Sequence, residues 1–356
     1  MSTIKVNNIV PPNVGEGVSI DGLQMPTAGA FSNRNLIMNG AMAVSQKSTA
    51  TGLTNGSSNT YIVDRFGFME SGSPAYQFTY SQDTDVPTGQ GFANSLKWLC
   101  TTADTTVDAN ERLRIRQGFE GQNLQQIKKG TANAETLILS FWVKTNLSGD
   151  ISVVMEDADN SRVISKNATI ASEEVDTWVY KTIEFPGDTT GTLDNDNGAS
   201  IYLEWYVRTG TNYSSGTQAT TWAADTLNNK SSSNNIDLGS AVNNYFNLTG
   251  VQLEVGSKAT PFEYRPIGIE LALCQRYYQA LSLLWLCQAK AGSNVQFRAS
   301  GIRPVEMRAT PTLTVGSFGA LTGTNAIADK SIWRVDASGC GTGNSLASSL
   351  TADAEL

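Results

Sequence analysis

Hydrophobic and polar residues alternate along much of this chain with the two-residue period of half-buried β-strands. The clearest run lies at 137–144, where Leu, Leu, Phe and Val alternate with Ile, Ser, Trp and Lys. Such runs, separated by turns rich in Gly, Asn and Asp, predict an all-β chain whose central part is an antiparallel β-sandwich. The predicted strands lie at 62–68, 75–80, 95–100, 112–119, 137–144, 151–156, 178–185, 201–208 and 245–255.

The pattern changes at Gly256, which ends the last strand of the predicted sandwich. After Pro266, the apolar residues Ile269, Leu273 and Tyr277 recur at helical spacing, which predicts a short helix. The chain therefore changes from one module to another in this region. We predict an N-terminal segment at 1–30, a β-sandwich at 31–266, a connector helix at 267–290 and a small C-terminal β-rich domain at 291–356.

The two terminal parts are too small to be stable alone. Residues 1–30 offer two short strands, and an isolated hairpin is marginal in water. We expect this segment to attach the protein to a partner; the alternative is that its strands extend the edge of the sandwich. The C-terminal domain has a weak core, which favours oligomerisation, and its last residues, 345–356, are predicted to form a helix or a frayed tail. Its tip, with Phe318, Trp333 and the loop 339–344, is one candidate surface for ligand contact.

Composition and charge exclude several classes of partner. The chain has 356 residues, a formal net charge of −8 and 16% charged residues. No run of Lys or Arg is longer than the pair at 128–129, so the sequence offers no basic surface for nucleic acid or anionic lipid. No apolar run approaches the roughly 18 residues of a membrane-spanning helix. The first residues, MSTIKVNNIV, lack the pattern of a secretory signal. We expect no nucleic-acid partner, no membrane insertion and assembly in a cytoplasm.

The chain contains no histidine. Histidine is the usual general base near neutral pH and the commonest metal ligand, so Ser-His-Asp and Cys-His hydrolysis and histidine-ligated metal sites are excluded. The four cysteines have no paired spacing, and a zinc site would require four distant segments to converge. We predict buried free thiols at Cys100, Cys274, Cys287 and Cys340.

Paired carboxylates are the remaining route to catalysis, because glycosidases cleave a sugar bond between two acidic side chains. Acidic residues are also common at turns for conformational reasons. We therefore predict a protein that is not an enzyme, with polysaccharide cleavage as a minor alternative. The acidic candidates on predicted strands and loops are Glu156, Asp157, Asp159, Asp188, Asp194, Asp196, Glu204 and Glu254.

A long polar stretch precedes the last predicted strand and predicts a surface excursion between two strands. Exposed aromatic rings in or near such a loop can stack on sugar rings. Trp222, Tyr213 and Tyr206 are therefore candidate ligand-binding residues, with core packing as the alternative role. We predict core positions for Trp142 and Trp178.

Four segments of the chain occur in an order that is characteristic of a known family. They are NLIMNGAM at 35–42, ILSFWVK at 138–144, FPGDTTGT at 185–192 and GVQLEVGSKATPFEYRPIGIELALCQRYYQ at 250–279. In this order they resemble a family of bacteriophage virion proteins that are mostly named tail-fibre or fibre-like proteins. The resemblance implies a jelly roll of the carbohydrate-binding-module type, carried on a homotrimeric virion fibre.

The resemblance also implies a function. A virion fibre protein of this kind, as a tail fibre, would attach the particle to a glycan or protein of the bacterial surface. Its N-terminal segment would bind another virion protein. A head fibre or capsid decoration protein with a structural role is the alternative, and a polysaccharide depolymerase is the third hypothesis.

Sandwiches of the carbohydrate-binding-module type often hold a structural Ca²⁺ between an N-terminal loop and the last strand. The matching positions here are Asn39 and Glu254, which would supply amide and carboxylate oxygens. Ca²⁺ is thus the one candidate cofactor. We favour a role for Glu254 other than Ca²⁺ binding, because no compact acidic loop is present. In that role, Glu254 lies on the outer face of its strand or forms a salt bridge to Arg65 or Arg265.

Overall fold

A computed structural model of the protein describes residues 19–20, 23–24, 32–54, 56–287, 296–316, 322–338 and 344–356. These residues form mostly antiparallel β-structure, which confirms the predicted all-β class. No helix in these ranges is long and apolar enough to cross a membrane. The strands are β1 (Ser19–Ile20), β2 (Leu23–Gln24), β3 (Ala50–Leu53), β4 (Thr60–Tyr61), β5 (Gly67–Ser71), β6 (Gln77–Asp83), β7 (Ser95–Thr102), β8 (Arg112–Glu120), β9 (Leu137–Thr145), β10 (Gly149–Asp157), β11 (Arg162–Ile170), β12 (Val179–Phe185), β13 (Ala199–Thr209), β14 (Ala223–Ala224), β15 (Tyr245–Val255), β16 (Tyr278–Cys287), β17 (Gln296–Ile302), β18 (Thr312–Val315), β19 (Thr322–Ala328), β20 (Ile332–Ser338) and β21 (Asn344–Asp353). The α-helices are α1 (Thr211–Ser214) and α2 (Ile267–Gln275), and short 3-10 turns lie at Gly121–Asn123, Gln125–Ile127, Ser172–Glu174 and Leu227–Asn229.

The chain divides into two compact units. The first unit extends to Tyr264, except for Val44–Lys47, which belong with Arg265–Leu356 in the second. The first unit is a sandwich of a seven-stranded sheet, in the order β14-β11-β10-β13-β8-β5-β4, and a six-stranded sheet, in the order β12-β9-β15-β7-β6-β3. The chain passes repeatedly from one sheet to the other, as a jelly roll requires.

The core of the sandwich lies between the two sheets because alternate residues of each central strand point inward. On β9, Leu139, Phe141 and Val143 are fully buried in this core. Trp142 and Lys144, which alternate with them, are only half-buried and point to the outer face. The largest buried aromatic side chains of the core include Trp98, Trp205, Phe66, Phe68, Phe78 and Phe141.

Two predicted features of the sandwich differ from the structure. The predicted strand at 62–68 is replaced by a turn between β4 and β5, in which Arg65 has a φ of 72°. The buried guanidinium of Arg65 holds this turn, because its Nη2 donates to the carbonyl of Gly118 at 2.7 Å. The strand β11, which pairs with β10 along its whole length, is also absent from the predicted strands. Polar residues such as Lys166 and Asn167 obscure the alternation in β11.

The polar stretch after β13 is folded against the sandwich. It contains α1 and β14 and crosses the outer face of the seven-stranded sheet. The amide of Ser165 donates to the carbonyl of Ala219 at 2.7 Å, and its hydroxyl donates to the carbonyl of Lys230 at 2.7 Å. Beneath the stretch, Val154, Tyr206 and Ala219 belong to a small apolar cluster. The excursion therefore covers part of this face.

The second unit contains two three-stranded sheets, in the orders β16-β21-β18 and β17-β20-β19. The predicted connector helix at 267–290 is shorter in the structure, since α2 ends at Gln275 and β16 begins at Tyr278. The region predicted as a C-terminal helix or tail, 345–356, lies mostly in β21. Both differences have one cause, because β16 and β21 pair along their whole lengths.

Some predictions fall on residues outside the described ranges. Of the predicted attachment segment at 1–30, only β1 and β2 are described, and they pair with each other. Phe318 and the loop residues 339–343 of the predicted C-terminal tip lie outside the described residues.

Two of the four cysteines can be assessed. Cys100 is buried and free, as predicted, and Cys274 is also buried. Burial raises the pKa of the Cys100 thiol to about 11, so it stays protonated and unreactive at neutral pH. The side chains of Cys287 and Cys340 lie outside the described residues.

Candidate functional site

The outer face of the six-stranded sheet carries an open cavity of about 440 Å³, a volume within the range of small-molecule sites. Aromatic side chains form its walls, and we call it the aromatic cleft. None of the described residues that line it carries a charge. The aromatic residues are Phe92, Trp142, Tyr180, Phe262 and Tyr264, and the others are Gln90, Ser140, Gly250, Thr260 and Pro261.

One wall of the aromatic cleft is built on the sheet itself. Trp142 on β9 lies directly opposite Tyr180 on β12, with ring centroids 5.3 Å apart and planes inclined by 47°. Both rings point outward because strand alternation directs Phe141 into the core. Tyr180 is 44% exposed and Trp142 is half-buried, so this wall is accessible to a ligand.

The floor of the aromatic cleft is formed where β15 is irregular. A register shift between Thr249 and Gln252 interrupts its pairing with β9, and Gly250 lies in this bulge with a φ of 62°. This left-handed conformation favours glycine. A Cβ at Gly250 would lie 2.7 Å from Cζ of Phe92 and 3.0 Å from Cδ1 of Trp142. The floor between Phe92 and Trp142 is therefore formed by backbone without a side chain, and glycine at this position keeps the cleft open.

The second wall comes from two loops. Phe92 packs edge-on against Phe262 at 5.1 Å, and Phe262 packs edge-on against Tyr264 at 4.9 Å between ring centroids. Edge-to-face contacts of this kind are favourable for aromatic pairs. The hydroxyl of Tyr264 donates to the backbone carbonyl of Gln90 at 2.6 Å. The two loops are thus tied together by both ring packing and a hydrogen bond.

A buried carboxylate holds the loop that follows β15. Glu254 is 1% exposed, and it accepts hydrogen bonds from the amide and the hydroxyl of Thr260, both at 2.8 Å. Nε of Arg34 lies 3.3 Å from Oε2 of Glu254, and Nη2 of Arg34 donates to the carbonyl of Pro261 at 2.5 Å. This network holds Thr260 and Pro261 in place, and it thereby positions the following residues Phe262 and Tyr264 in the second wall.

The predicted Ca²⁺ ligands have other roles. Glu254 pairs with Arg34 rather than with Arg65 or Arg265, so a cation at this carboxylate would meet the positive charge of the guanidinium. Asn39 is fully buried, and its side-chain amide donates to a backbone carbonyl at 2.9 Å. In the part of the chain that the structure describes, no group of three or more Cys, Asp or Glu side chains could hold a metal ion. The residues at this site therefore do not fit Ca²⁺.

The hydroxyl groups of the aromatic cleft are protonated at neutral pH. Burial raises the pKa of both Tyr180 and Tyr264 above the ordinary value of a phenol. The cleft thus offers apolar ring faces together with uncharged polar groups, such as the amide of Gln90. This combination suits a ligand that has an apolar face and several hydroxyl groups.

The structure does not bring the predicted ligand-binding residues of the excursion together in one site. Tyr206 is fully buried beneath the excursion, and Tyr213 is 7% exposed, with the guanidinium of Arg112 over its ring at 4.7 Å. Trp222 is half-buried, packs against the main core and donates from Nε1 to the carbonyl of Pro186 at 2.8 Å. These rings stabilise the fold, because each is engaged by the protein itself.

Trp333, the predicted contact in the C-terminal domain, also packs within its own unit. It lies against the small core formed by Val335 and Leu350. Its indole covers Gly301 on the neighbouring strand, where a Cβ would lie 2.7 Å from Cζ2 of the ring. An aromatic ring over a strand glycine fills the space that the missing side chain leaves.

Sequence reasoning missed the residues of the aromatic cleft. Trp142 was predicted to lie in the core, although it alternates with Phe141 and shares its side of the strand with Lys144. That alternation was the signal that could have placed it on the outer face. Trp178, also predicted as core, is half-buried, and its Nε1 donates to Asp85 at 2.9 Å. The rings from the loops follow no periodic pattern and gave no signal.

All but one of the acidic residues that were candidates for catalysis have side chains engaged in the fold, and the exception, Asp194, is exposed. Glu204 is fully buried and contacts Arg114 at 2.7 Å and Arg116 at 2.5 Å. Burial acts to raise the pKa of Glu204, but the two guanidinium groups hold it well below its usual range. Other ion pairs join Glu156 to Lys230, Asp157 to Lys129, Asp188 to Arg162 and Glu254 to Arg34, while Asp159 and Asp196 accept hydrogen bonds from backbone amides.

Comparison with known proteins gave no match to a family model and none to a curated protein. Among solved structures, the chain is similar over 58% of its length to the enzymatically active domain of tailspike protein 4 of bacteriophage CBA120, at 10% identity and a TM-score of 0.31, and it spans 21% of that chain. It is similar over 65% of its length to the whole CBM22-1 xylan-binding domain of Paenibacillus barcinonensis, at 10% identity and a TM-score of 0.29. It is also similar over 59% of its length to 97% of a family 11 carbohydrate-binding module of a Clostridium thermocellum cellulase, at 12% identity and a TM-score of 0.28. Similarities at this level carry no argument about function.

Proposed function

We propose that this protein is a bacteriophage fibre protein that attaches the virion to its bacterial host by binding surface glycans in the aromatic cleft. The order of the four segments that resemble tail-fibre proteins supports the virion assignment. Attachment as a homotrimer, joined to another virion protein through residues 1–30, would multiply individually weak sugar contacts into firm adhesion.

The single observation that carries glycan binding is the aromatic cleft. It combines exposed ring faces, an open floor at Gly250 and an uncharged lining on a rigid sheet. A sugar ring has an apolar face of C–H groups that stacks on aromatic rings, and hydroxyl groups that pair with neutral polar side chains. A large apolar pocket with a few polar groups is the usual form of a binding site.

The lining of the aromatic cleft supports glycan binding without glycan cleavage. A glycosidase requires two carboxyl groups on either side of the scissile bond. None of the described residues lining the aromatic cleft is acidic, and the nearby Glu254 is held by Thr260 and Arg34. We therefore propose a protein that is not an enzyme.

The position of the fibre on the particle has two candidates, the tail and the head. The tail is the location that we propose, on the resemblance to tail-fibre proteins, and a head fibre or capsid decoration protein with a structural role is the alternative. Labelled antibody on intact virions distinguishes them: signal at the tail supports the tail fibre, and signal confined to heads replaces it with the alternative.

The test of glycan binding uses Trp142→Ala, with Leu227→Ala as the matched control. Leu227 is 56% exposed and lies outside the aromatic cleft. Calorimetry of the purified protein with host surface polysaccharide should show at least about a tenfold loss of affinity for Trp142→Ala, since residues at the centre of an interface carry most of the binding energy. The control should bind as the unaltered protein does. Equal binding by both variants, with both melting as folded proteins, would remove the aromatic cleft as the site.

A further inference from the structure

Trp178 extends the aromatic surface beyond the aromatic cleft. It immediately precedes β12 and lies two residues before Tyr180, so both side chains point to the same outer face of the sheet. Nε1 of Trp178 donates to Oδ1 of Asp85 at 2.9 Å, and Nζ of Lys144 donates to Oδ2 of the same carboxylate at 2.8 Å. We call Asp85, Lys144 and Trp178 the tryptophan corner.

The tryptophan corner continues the aromatic cleft in one direction. Lys144 follows Trp142 by two residues on the outer face of β9, and Trp178 precedes Tyr180 by two residues at the start of β12. Because β9 and β12 are antiparallel, both steps lead in the same direction from the aromatic cleft. Two residues of a β-strand span roughly 7 Å. A ligand longer than one sugar ring that leaves the cleft along these strands therefore reaches the corner.

The corner presents a hydrogen-bond donor and an acceptor side by side. Partial burial acts to raise the pKa of Asp85, but the hydrogen bonds from Lys144 and Trp178 hold it below the usual value, so Asp85 is an ionised acceptor at neutral pH. Lys144 uses one of its three N–H groups on Asp85 and can donate the others. Neighbouring hydroxyl groups of a sugar can donate to the carboxylate and accept from the ammonium group at once.

The charges of this face also restrict the ligand. Asp85 and Lys144 cancel each other, and the described lining of the aromatic cleft has no charged side chain. An acidic sugar would lose hydration of its charge on this face without a net positive charge to compensate for the loss. The face therefore favours an uncharged ligand.

The geometry points to a binding site for an uncharged oligosaccharide, with one sugar in the aromatic cleft and the next sugars on the tryptophan corner. This inference rests on the proposed function, because it takes the aromatic cleft as a glycan site. It adds the length and charge of the ligand, and a second contact surface formed by Asp85, Lys144 and Trp178.

The experiment uses the full-length protein and oligosaccharides prepared from host surface polysaccharide, separated by charge and by length. Affinities are measured by calorimetry for long fragments and by ligand-observed NMR for single sugars and disaccharides. We expect uncharged tetrasaccharides to bind at least about tenfold more tightly than single sugars, with acidic fragments weaker than uncharged ones of equal length. Trp178→Ala should remove most of the gain with length and leave the affinity for single sugars unchanged.

Lys144→Met provides a second variant, because it removes the ammonium donors and keeps a side chain of similar length. It should also weaken tetrasaccharide binding selectively, and melting curves of both variants confirm that they are folded. Binding that does not depend on length, that prefers acidic fragments, or that is unchanged in both variants would overturn the inference while leaving the glycan function intact. No binding of any fraction by the unaltered protein would overturn the proposed function and this inference together.

Discussion

Replacement of Gly250 by alanine is expected to close the aromatic cleft while the sandwich stays folded. The new Cβ would lie 2.7 Å from Cζ of Phe92 and 3.0 Å from Cδ1 of Trp142. Contacts under 3.0 Å force movement, and Phe92 cannot move far without losing its edge-on contact with Phe262. The volume between the two walls must therefore decrease, and a stacked sugar ring would be excluded.

The backbone makes a separate contribution, which can be measured independently. Gly250 has a φ of 62°, and an alanine in this left-handed conformation costs about 1–2 kcal/mol. Gly52 has a similar φ of 68°, but nothing lies within 4 Å of the position of its Cβ. Gly52→Ala is therefore a matched control, which carries the same backbone strain without filling the cleft.

Urea unfolding and calorimetry with host polysaccharide separate the two effects. Both variants should lose about 1–2 kcal/mol of unfolding free energy, with a further loss in Gly250→Ala from the displaced ring. Only Gly250→Ala should bind glycan more weakly, by at least about tenfold. Normal binding by Gly250→Ala, together with a loss of stability like that of Gly52→Ala, would refute the assignment of the cleft.

Three further predictions concern stability and assembly. Glu204→Gln should lower the unfolding free energy by about 3–5 kcal/mol, because it leaves Arg114 and Arg116 with a neutral partner in a buried site. The pKa of Glu204 is lower in the folded protein than in the unfolded chain, where it is about 4.3. Ionised Glu204 therefore stabilises the fold fully above about pH 4.3, and this stabilisation is lost as the pH falls from there towards the pKa of the folded state. The deficit of Glu204→Gln in denaturant unfolding should therefore shrink below about pH 4, and a deficit that is constant with pH would contradict this account. Trp222→Ala should lower the unfolding free energy by about 2 kcal/mol through lost packing and leave cell binding unchanged; weaker binding without a loss of stability would restore Trp222 as a contact residue. Light scattering on a sizing column should give the mass of three chains with and without residues 1–30, and a stable monomer would contradict the trimer.

The fold was largely predictable because alternation is a strong signal where a strand is central in its sheet. Leu139, Phe141 and Val143 have the period of β9, and they lie in the core as that period requires. The turn that holds Arg65 was not predictable in the same way. Its conformation depends on a hydrogen bond to Gly118, which lies far away in the sequence.

The candidate site was less predictable, because it depends on which outer face stays open. Tyr206 and Trp142 have similar settings in the sequence, since each is an aromatic residue that alternates with a core residue of its strand. The excursion covers Tyr206, whereas the bulge at Gly250 leaves Trp142 open. Periodicity gives the face on which a side chain lies, but what covers that face is decided by distant segments.

The alternation of β9 has a consequence for how the ligand specificity that we propose can change. Phe141 and Val143 contribute to the core, whereas Trp142 and Lys144 between them contribute to the outer surface. Substitutions at the outward positions can alter recognition at little cost to folding, because changes outside the core usually have small effects on stability. In the fibre protein that we propose, a phage lineage could therefore exchange the rings and polar groups of this face one at a time to follow a host that alters its surface sugars, while the sandwich that displays them remains the same.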